Sequence, residues 1–277
     1  MLKVAAQVPL RLGVVSFLNT SPLISGLEGL DSLELIPKVP SELIGNLESG
    51  FVDLALASSI DYQRTKISLN ILNAGVLSSD GETLTVKLCS RIPFEEIDKV
   101  WCDTDSHTSV ALLQIVMHRL FNRRIQVVPI DVPAFLKLDK EWPPSILMIG
   151  DKVVTTPLPK MFAYELDLGS AWFQLTSLPF VFAMWIGHSN LEQIKVEFAS
   201  MVLDRQRRCN AQRIKQVAFS SAAVQEWDPH EAHQYLSNNM QYVCNNKHVE
   251  SLELFYQFAL EEKIINEFKP LNFYPTP

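Results

Sequence analysis

Residues 12–23 read LGVVSFLNTSPL and join a short apolar run to a cluster of polar side chains. The apolar run, residues 12–15, has the length and composition of a buried strand, and residues 16–20 follow it as a polar loop. Pro22 favours the start of a helix, because proline at the first helical position sacrifices no hydrogen bond. This stretch therefore predicts a strand, a loop that carries polar groups, and a helix.

The same pattern repeats along the chain and predicts an α/β fold. Residues 33–39 read as a second strand, residues 41–48 as a helix, and residues 52–57 as a third strand. Strands that alternate with helices at this spacing are typical of a parallel sheet. Further strands are predicted at 71–76, 84–89, 100–103, 125–130, 145–149 and 180–186, a turn at 78–81, and helices at 110–121, 191–208, 212–225, 229–238 and 248–263.

The order of these elements predicts two lobes with a ligand cleft between them. Two α/β units follow each other, the second returns through a strand, and helices complete the chain. One lobe is expected to combine residues 1–91 and 187–277, and the other to hold residues 92–186. Hinges are expected near 87–92 and 182–187. Ligands of such folds bind at the carboxyl ends of the strands.

Composition and charge limit the classes of function. The chain has 277 residues, of which 47% are hydrophobic and 20% charged, so it can bury a large core. The net charge of −7 argues against nucleic acid as a partner, because affinity for nucleic acid depends on Lys and Arg that neutralise phosphates. A small anion is still compatible with an acidic surface, because helix N-termini make a pocket locally positive.

No feature of the sequence predicts a membrane partner or a metal. The longest apolar runs fall short of the roughly 18 residues that a membrane span needs. The apolar run within residues 1–11 is too short for a signal-peptide core, so a cytoplasmic location is expected. The four cysteines lack the CxxC spacing of zinc ribbons and thioredoxin-like motifs, which leaves buried or free thiols as the simplest interpretation.

Candidate binding residues follow the predicted strands. The polar loops at strand ends are expected to meet at the cleft, where hydroxyls, amides and free N–H groups at helix starts favour a carboxylate or a phosphate. Helix capping and turn formation explain the same residue types equally well. The candidates from these loops are Ser16, Asn19, Thr20, Ser58, Ser59, Ser79, His107, Thr108, Ser109, Gly150 and Asp151.

The residues alone leave the choice between an enzyme and a binding protein open. The sequence has no glycine-rich phosphate loop, no HExxH and no GxSxG motif, so neither a nucleotide cofactor nor a catalytic metal is predicted. On physical grounds the chain is a two-lobed α/β protein that holds a small anion between its lobes.

Seven motifs lie in order along the chain: GVVSFLNTSPL (13–23), VDLALASSIDY (52–62), SSDG (78–81), DSHTSVALL (105–113), IGD (149–151), YELDLG (164–169) and LPFVFAMW (178–185). As a set they resemble the chorismate dehydratase family of the futalosine route to menaquinone. The resemblance implies a type II periplasmic-binding-protein-like fold that works as a cytoplasmic lyase. Members of that family convert chorismate to 3-[(1-carboxyvinyl)oxy]benzoate and water.

The resemblance also implies roles for residues of this chain. The family uses the asparagine of its Phe-Leu-Asn-Thr motif in the active site, so Asn19 is the expected catalytic residue. The other candidates are expected to bind the substrate. The chain departs from the family at His107, where arginine is more common.

Alternatives to this interpretation are a non-catalytic small-anion binding protein and the related 1,4-dihydroxy-6-naphthoate synthase, which opens with a different motif. The expected partner is chorismate alone, with no cofactor, no nucleic acid and no membrane. The protein itself is expected to be a monomer or a homodimer. An Asp, a His or a carboxylate of the substrate itself is expected to accept the proton.

Overall fold

The computed structural model describes residues 9–138 and 141–275, so most of the N-terminal segment considered above lies outside the described residues. The strands are β1 (Leu10–Val15), β2 (Leu33–Lys38), β3 (Leu54–Ser58), β4 (Leu69–Ser79), β5 (Val86–Ser90), β6 (Lys99–Asp103), β7 (Gln126–Ile130), β8 (Ser145–Ile149), β9 (Tyr164–Asp167), β10 (Phe180–His188) and β11 (Met240–Gln241). The helices are α1 (Ser21–Ile24), α2 (Pro40–Glu48), α3 (Asp61–Arg64), α4 (His107–Phe121), α5 (Val132–Leu136), α6 (Lys152–Thr155), α7 (Leu168–Thr176), α8 (Gln193–Gln212), α9 (Ile214–Ala222), α10 (Pro229–Gln234) and α11 (Asn246–Glu261).

The strands form two mixed sheets, each the centre of one lobe. The first lobe contains the order β11-β4-β10-β3-β1-β2, in which β1 runs parallel to β2 and β3 while β10 runs antiparallel to β3 and β4. The second lobe contains the order β7-β6-β8-β5-β9, in which β6 runs parallel to β7 and β8 while β5 runs antiparallel to β8 and β9. The predicted α/β class is confirmed.

The central strands are apolar on both faces because helices cover both sides of each sheet. All five residues of β3 and all five of β8 are buried. Such continuous apolar runs are typical of strands that have no solvent-facing side. This burial on both faces explains why the sequence predicted these strands from their apolar runs. The observed ends of the predicted strands differ from the predicted ends by at most three residues.

Side-chain caps set where several helices begin. Ser106 accepts a hydrogen bond from the Ser109 backbone N–H, so α4 starts at His107, three residues before the predicted start. Asp167 caps α7 in the same way and ends the short strand β9, two elements to which the sequence analysis assigned no structure. Among the described helices, none is long and apolar enough to cross a membrane.

The chain crosses between the lobes at residues 80–85 and again at residues 177–179. The predicted hinges at 87–92 and 182–187 fall mainly within β5 and β10, which are held by ladder hydrogen bonds, so the structure puts both crossings earlier. The turn predicted at 78–81 also begins later, because β4 continues through Ser79. Leu84 and Ser177 have φ angles of 64° and 59°, values that occur in tight turns and not in strands.

Candidate active site

A narrow cavity of about 40 Å³ lies between the two lobes. Loops at the carboxyl ends of β1, β3, β6 and β8 contribute to it, as expected for ligand sites of open α/β sheets. Its described lining consists of Val15, Phe17, Asn19, Pro40, Ser58, Leu77, Thr83, Thr85, Val86, Ser106, Ser109, Ile149, Gly150, Phe182 and Ala183. Within the described part of the chain, this lining is apolar side chains interspersed with neutral hydrogen-bonding groups.

Ser58 presents an unused polar atom to this cavity. Its side chain is fully buried at the end of β3, and its Oγ has no hydrogen-bond partner among the described residues. Most buried polar groups in native proteins are hydrogen-bonded, so such an exception needs an explanation. A ligand atom in the cavity that hydrogen-bonds to the Ser58 Oγ would explain this exception.

The N-terminus of α4 faces the same cavity. Ser106, its N-cap, and Ser109, in its first turn, both contribute to the lining and are hydrogen-bonded to each other through their hydroxyls at 3.1 Å. The free N–H groups and the dipole of this 15-residue helix favour negative charge at this end. Together with Ser58, this helix start makes the cavity suitable for a carboxylate.

Asn19 lies in the short helical turn Leu18–Thr20 that follows β1, and it lines the cavity. The Thr20 hydroxyl donates a hydrogen bond to Asn19 Oδ1 at 3.3 Å. Thr20 therefore holds the carbonyl end of the Asn19 amide, and the Asn19 side chain contributes to the cavity lining.

Ser59 and Thr108 lie just behind the lining and join the lobes. The Thr108 Oγ1 accepts a hydrogen bond from the Ile60 backbone N–H at 3.2 Å and lies 3.4 Å from the Ser59 Oγ. The Ser59 hydroxyl donates to the Val181 carbonyl at 2.8 Å. Both side chains are fully or almost fully buried and are used in protein contacts, which differs from the open hydroxyl of Ser58.

Asp151 connects the second lobe to two segments of the first. Its carboxylate accepts hydrogen bonds from the Leu18 backbone N–H at 3.0 Å and from the Trp227 indole N–H at 3.0 Å. Burial raises the pKa of Asp151 to about 6, and these hydrogen bonds compensate only in part. Asp151 is outside the described lining of the cavity, and its hydrogen bonds go to Leu18 and Trp227.

We expect Asp151→Asn to change how stability depends on pH. The carboxyl loses its proton near pH 3.8 in the unfolded chain and near pH 6 in the folded protein, so its contribution to stability declines as pH rises through this interval. The stability of Asp151→Asn relative to the unmutated protein should therefore rise by about 2 kcal/mol between pH 4.5 and pH 8. Urea unfolding at both pH values measures this, and parallel pH curves for the two proteins would contradict it.

His107, the first residue of α4, contacts the first lobe instead of lining the cavity. Its Nδ1 lies 2.8 Å from the Asp61 Oδ1, and its side chain is 39% exposed. The Asp61 carboxylate is almost fully buried at the start of α3. His107 is thus part of an interlobe pair with Asp61.

A buried cation, Lys152, lies next to the cavity but is already neutralised. Its ammonium is 2.7 Å from the Asp103 carboxylate and 2.5 Å from the Asp105 carboxylate. Burial raises the pKa of Asp103 to about 6. The ammonium also lies 5.8 Å from the centre of the Phe17 ring, so Lys152 supports a residue of the lining.

The predicted site residues fall into those that line the cavity and those that do not. Asn19, Ser58, Ser109 and Gly150 line the cavity, whereas Ser59, Thr108, Thr20, Asp151 and His107 surround it in the contacts described above. Ser16 is exposed, and its carbonyl accepts a hydrogen bond from Gln225 at 2.6 Å. Ser79 is buried in β4, where its hydroxyl donates to the Gly81 carbonyl at 3.0 Å.

Sequence reasoning missed four polar groups at the site. Thr83 and Thr85 lie on the first crossing and line the cavity, and Ser106 lines it as the cap of α4. Tyr235 comes from the C-terminal helices, and its hydroxyl is 2.8 Å from the Thr85 Oγ1. Only Ser106 had a signal in the sequence, as a capping residue ahead of an apolar helix. Among the described residues, no group of three or more His, Cys, Asp or Glu side chains is arranged to hold a metal ion.

Comparison with known proteins connects this site to one family and its fold. A profile described as menaquinone biosynthesis matches residues 10–261. A protein of Thermus thermophilus named chorismate dehydratase is 32% identical over 197 residues, which is 64% of this chain and 69% of that protein.

Solved structures show the fold at much lower identity. The crystal structure of protein AF1704 from Archaeoglobus fulgidus matches with a TM-score of 0.69 and 14% identity, over 92% of this chain and 98% of that one. The periplasmic aliphatic sulphonate binding protein SsuA of Escherichia coli matches with a TM-score of 0.65 and 13% identity, over 94% of both chains. The predicted two-lobed, periplasmic-binding-protein-like fold is confirmed.

Proposed function

The chain belongs to the menaquinone biosynthesis family, and from that membership we propose that it is a chorismate dehydratase. In this reaction the ring of chorismate loses a proton and a hydroxide from adjacent carbons. The products are one water molecule and 3-[(1-carboxyvinyl)oxy]benzoate. The ring becomes aromatic, so the reaction is strongly downhill and the enzyme's main task is to hold the substrate in one reactive conformation. This makes the protein a carbon–oxygen lyase.

The observation that supports this function best is a cavity that offers neutral donors to an anion. Ser58 has an unpartnered hydroxyl there, and Ser106 and Ser109 mark the start of α4. Chorismate is a dianion with two carboxylates, an enol ether and a hydroxyl. Neutral hydroxyls and backbone N–H groups bind carboxylates without adding a permanent charge, and the apolar lining is suited to the ring.

The described lining also bears on which group accepts the proton. Asp151 and His107, the protein candidates from the sequence, are engaged with Leu18 and Asp61 outside that lining. The described residues of the lining carry no ionisable side chain. A carboxylate of the bound substrate is therefore the favoured base, and Asn19 orients the reacting end of the molecule.

Purified protein incubated with chorismate tests the proposal. We expect the absorbance of chorismate to decay while one product, lighter by one water, accumulates and is identified by mass. Dialysis against EDTA should leave the rate unchanged. Chorismate that binds but persists would replace the proposal with a small-anion binding protein, and a loss of rate restored by a divalent ion would contradict metal-free chemistry.

We expect Ser58→Ala to raise the KM for chorismate about 10-fold without lowering stability. The hydroxyl has no partner among the described residues, so its removal costs the free protein no hydrogen bond but takes one from the bound carboxylate. Ser90 is the matched control: it is equally buried, and its Oγ donates to the Ile92 carbonyl at 2.8 Å. Ser90→Ala should lower the melting temperature and leave KM unchanged, and the reverse pattern in steady-state kinetics and thermal melts would contradict the role of Ser58.

Three sequence-based expectations stay predictions within this proposal. They are the division of the chain into lobes that move about hinges, the cytoplasmic location, and the monomeric or homodimeric state. We propose that the lobes close about residues 80–85 and 177–179, where the chain crosses between the sheets. Sedimentation analysis with and without chorismate would measure both the oligomeric state and any compaction on binding.

A further inference from the structure

A second cavity, of about 400 Å³, lies within the first lobe and shares no described lining residue with the cavity between the lobes. It is formed where α1, α8 and α9 meet the segment at residues 236–245. Its volume is in the range of known small-molecule sites. The proposed reaction makes no use of this second cavity, so its lining needs a separate explanation.

The walls of the second cavity are mainly apolar. They include Pro22 of α1, Ile214 of α9, and Leu236, Met240 and Val243 from the C-terminal part of the chain. Leu236 and Met240 are buried, whereas Val243 is exposed. An apolar surface of this kind favours contact with the hydrocarbon part of a ligand, because contact removes apolar area from water.

Arg207, on α8, is the one charged residue in the described lining of the second cavity. Its side chain is only 13% exposed. Its Nη2 donates to the Asp204 Oδ1 at 2.5 Å, which is the only hydrogen bond of this guanidinium among the described residues. Because a guanidinium carries five N–H donors, several of them stay available to a ligand.

The positive charge of Arg207 is only partly balanced by Asp204. The Asp204 carboxylate also pairs with Arg208, whose Nη2 lies 2.7 Å from the Asp204 Oδ2. One carboxylate therefore faces two guanidinium groups, and the described lining contains no acidic residue. The cavity thus combines apolar walls with a local excess of positive charge, which favours an anionic group on a ligand.

The first sheet holds the Arg207 side chain in place. A methyl group added to the Cα of Gly75, on β4, would lie 3.2 Å from the Arg207 Cδ. The missing side chain at Gly75 therefore makes room for the aliphatic part of Arg207 against the sheet. A guanidinium on a packed stem loses less conformational entropy when it binds a ligand.

We propose that the second cavity is a further ligand-binding site, which takes a small carboxylic acid with an apolar, ring-containing body. The apolar walls contact the body, and Arg207 binds the carboxylate through charge-assisted hydrogen bonds. The planar fork of N–H groups on arginine matches the geometry of a carboxylate. This site is independent of the proposed function, because no residue of the cavity between the lobes takes part in it.

2-Naphthoate is the probe, because it joins two apolar rings to one carboxylate. Isothermal titration calorimetry of the purified protein should show saturable binding. The neutral 2-naphthamide and inorganic phosphate should each bind at least about 10-fold more weakly, because the first lacks the charge and the second lacks the apolar body. Absence of saturable binding, or equal affinity for either comparison ligand, would contradict the proposal.

Arg207→Gln should weaken the binding of 2-naphthoate at least about 10-fold, because it removes the charged donor. Arg208→Gln is the matched control: Arg208 lies on the same helix and pairs with the same carboxylate, but it is 71% exposed and outside the described lining. Its Kd should stay within about twofold of the unmutated protein. Equal losses in the two variants would show that general positive charge attracts the probe, and the site would be refuted.

Ala211→Phe tests the second cavity without touching its charge, in case Arg207→Gln loses its fold. Ala211 is an exposed residue of α8 that belongs to the lining, so a phenyl ring there fills the cavity from its outer side. We expect this variant to lose 2-naphthoate binding and to keep its melting temperature. Undiminished affinity in Ala211→Phe would overturn the assignment.

Ser58→Ala shows which of the two cavities holds the probe. Ser58 lines the cavity between the lobes, so this substitution should leave the affinity for 2-naphthoate unchanged. A loss of affinity in Ser58→Ala, together with full affinity in Arg207→Gln, would place the probe between the lobes and eliminate the second site. Turnover of chorismate decides the proposed function separately: a protein that leaves chorismate intact but binds 2-naphthoate through Arg207 refutes that function and supports the second site.

Discussion

Asn19→Ala is expected to lower kcat for chorismate by roughly 100-fold or more while the protein stays folded. The side chain lies where the end of β1 meets the cavity, and its Oδ1 accepts a hydrogen bond from the Thr20 hydroxyl. Orientation of a reacting group accounts for several kcal/mol of a barrier, so its loss reduces kcat by orders of magnitude. The stability cost is smaller, about 1–2 kcal/mol, because only hydrogen bonds of a turn residue are lost.

Asn19→Asp should be as poor as Asn19→Ala, for a different reason. The carboxylate adds negative charge next to a dianionic substrate and removes the two N–H donors of the amide. Steady-state kinetics with thermal melts measures both variants, and Ser90→Ala is a control outside the cavity. Near-normal turnover combined with a modest fall in melting temperature would contradict the catalytic role and show that Asn19 only stabilises the turn.

The sequence predicted the strands of this fold well because burial on both faces leaves an unmistakable pattern. Residues 54–58 and 145–149 are apolar runs with polar neighbours, and both are central strands. The element from Tyr164 to Thr176 had no comparable pattern. Its strand is short, half exposed and at the sheet edge, and its helix depends on the Asp167 cap.

The two crossings between the sheets lie a few residues before the regions where the sequence analysis expected hinges, for a related physical reason. A strand inside a sheet and a segment that connects two sheets have the same sequence pattern, apolar residues followed by turn residues. They differ only in whether neighbouring strands are hydrogen-bonded to them. β5 is paired on both edges, with β8 and β9, which the local sequence around residue 87 does not reveal. The positive φ angles of Leu84 and Ser177, which mark the actual crossings, occur at residue types that rarely adopt them.

The candidate site was predictable only where its residues follow strands. The rule that ligands bind at strand ends found Asn19, Ser58, Ser109 and Gly150. It also selected Ser59 and Thr108, because the sequence does not tell which of two adjacent hydroxyls faces the cavity. Tyr235 could not be predicted from the sequence, because it lies about 150 residues from Thr85 along the chain and only tertiary packing brings the two together.

A second large effect is expected at Gly150, where the backbone of one lobe meets the Phe17 ring of the other. Gly150 follows β8 with a φ of 83°, and a methyl group added to its Cα would lie only 2.9–3.1 Å from ring atoms of Phe17. Both residues line the cavity, one from each lobe. The absence of a side chain at Gly150 therefore permits the outer edge of the Phe17 ring to approach the backbone of the opposite lobe.

We expect Gly150→Ala to lower kcat/KM about 100-fold, because the methyl group displaces Phe17 and pushes the lobes apart by more than a reactive geometry tolerates. Strain from the positive φ should add a loss of about 1 kcal/mol in stability. Gly50→Ala separates the two effects: its φ of 70° imposes similar strain, but nothing lies within 4 Å of the added methyl group.

Stopped-assay kinetics and urea unfolding on both variants decide whether the contact or the strain matters. Gly50→Ala should lose the same stability and keep its kcat/KM. Adding Phe17→Leu to Gly150→Ala should recover part of the activity, because the smaller side chain makes room for the methyl group. If Gly150→Ala and Gly50→Ala lose activity equally, the closed geometry does not depend on the contact between Phe17 and Gly150.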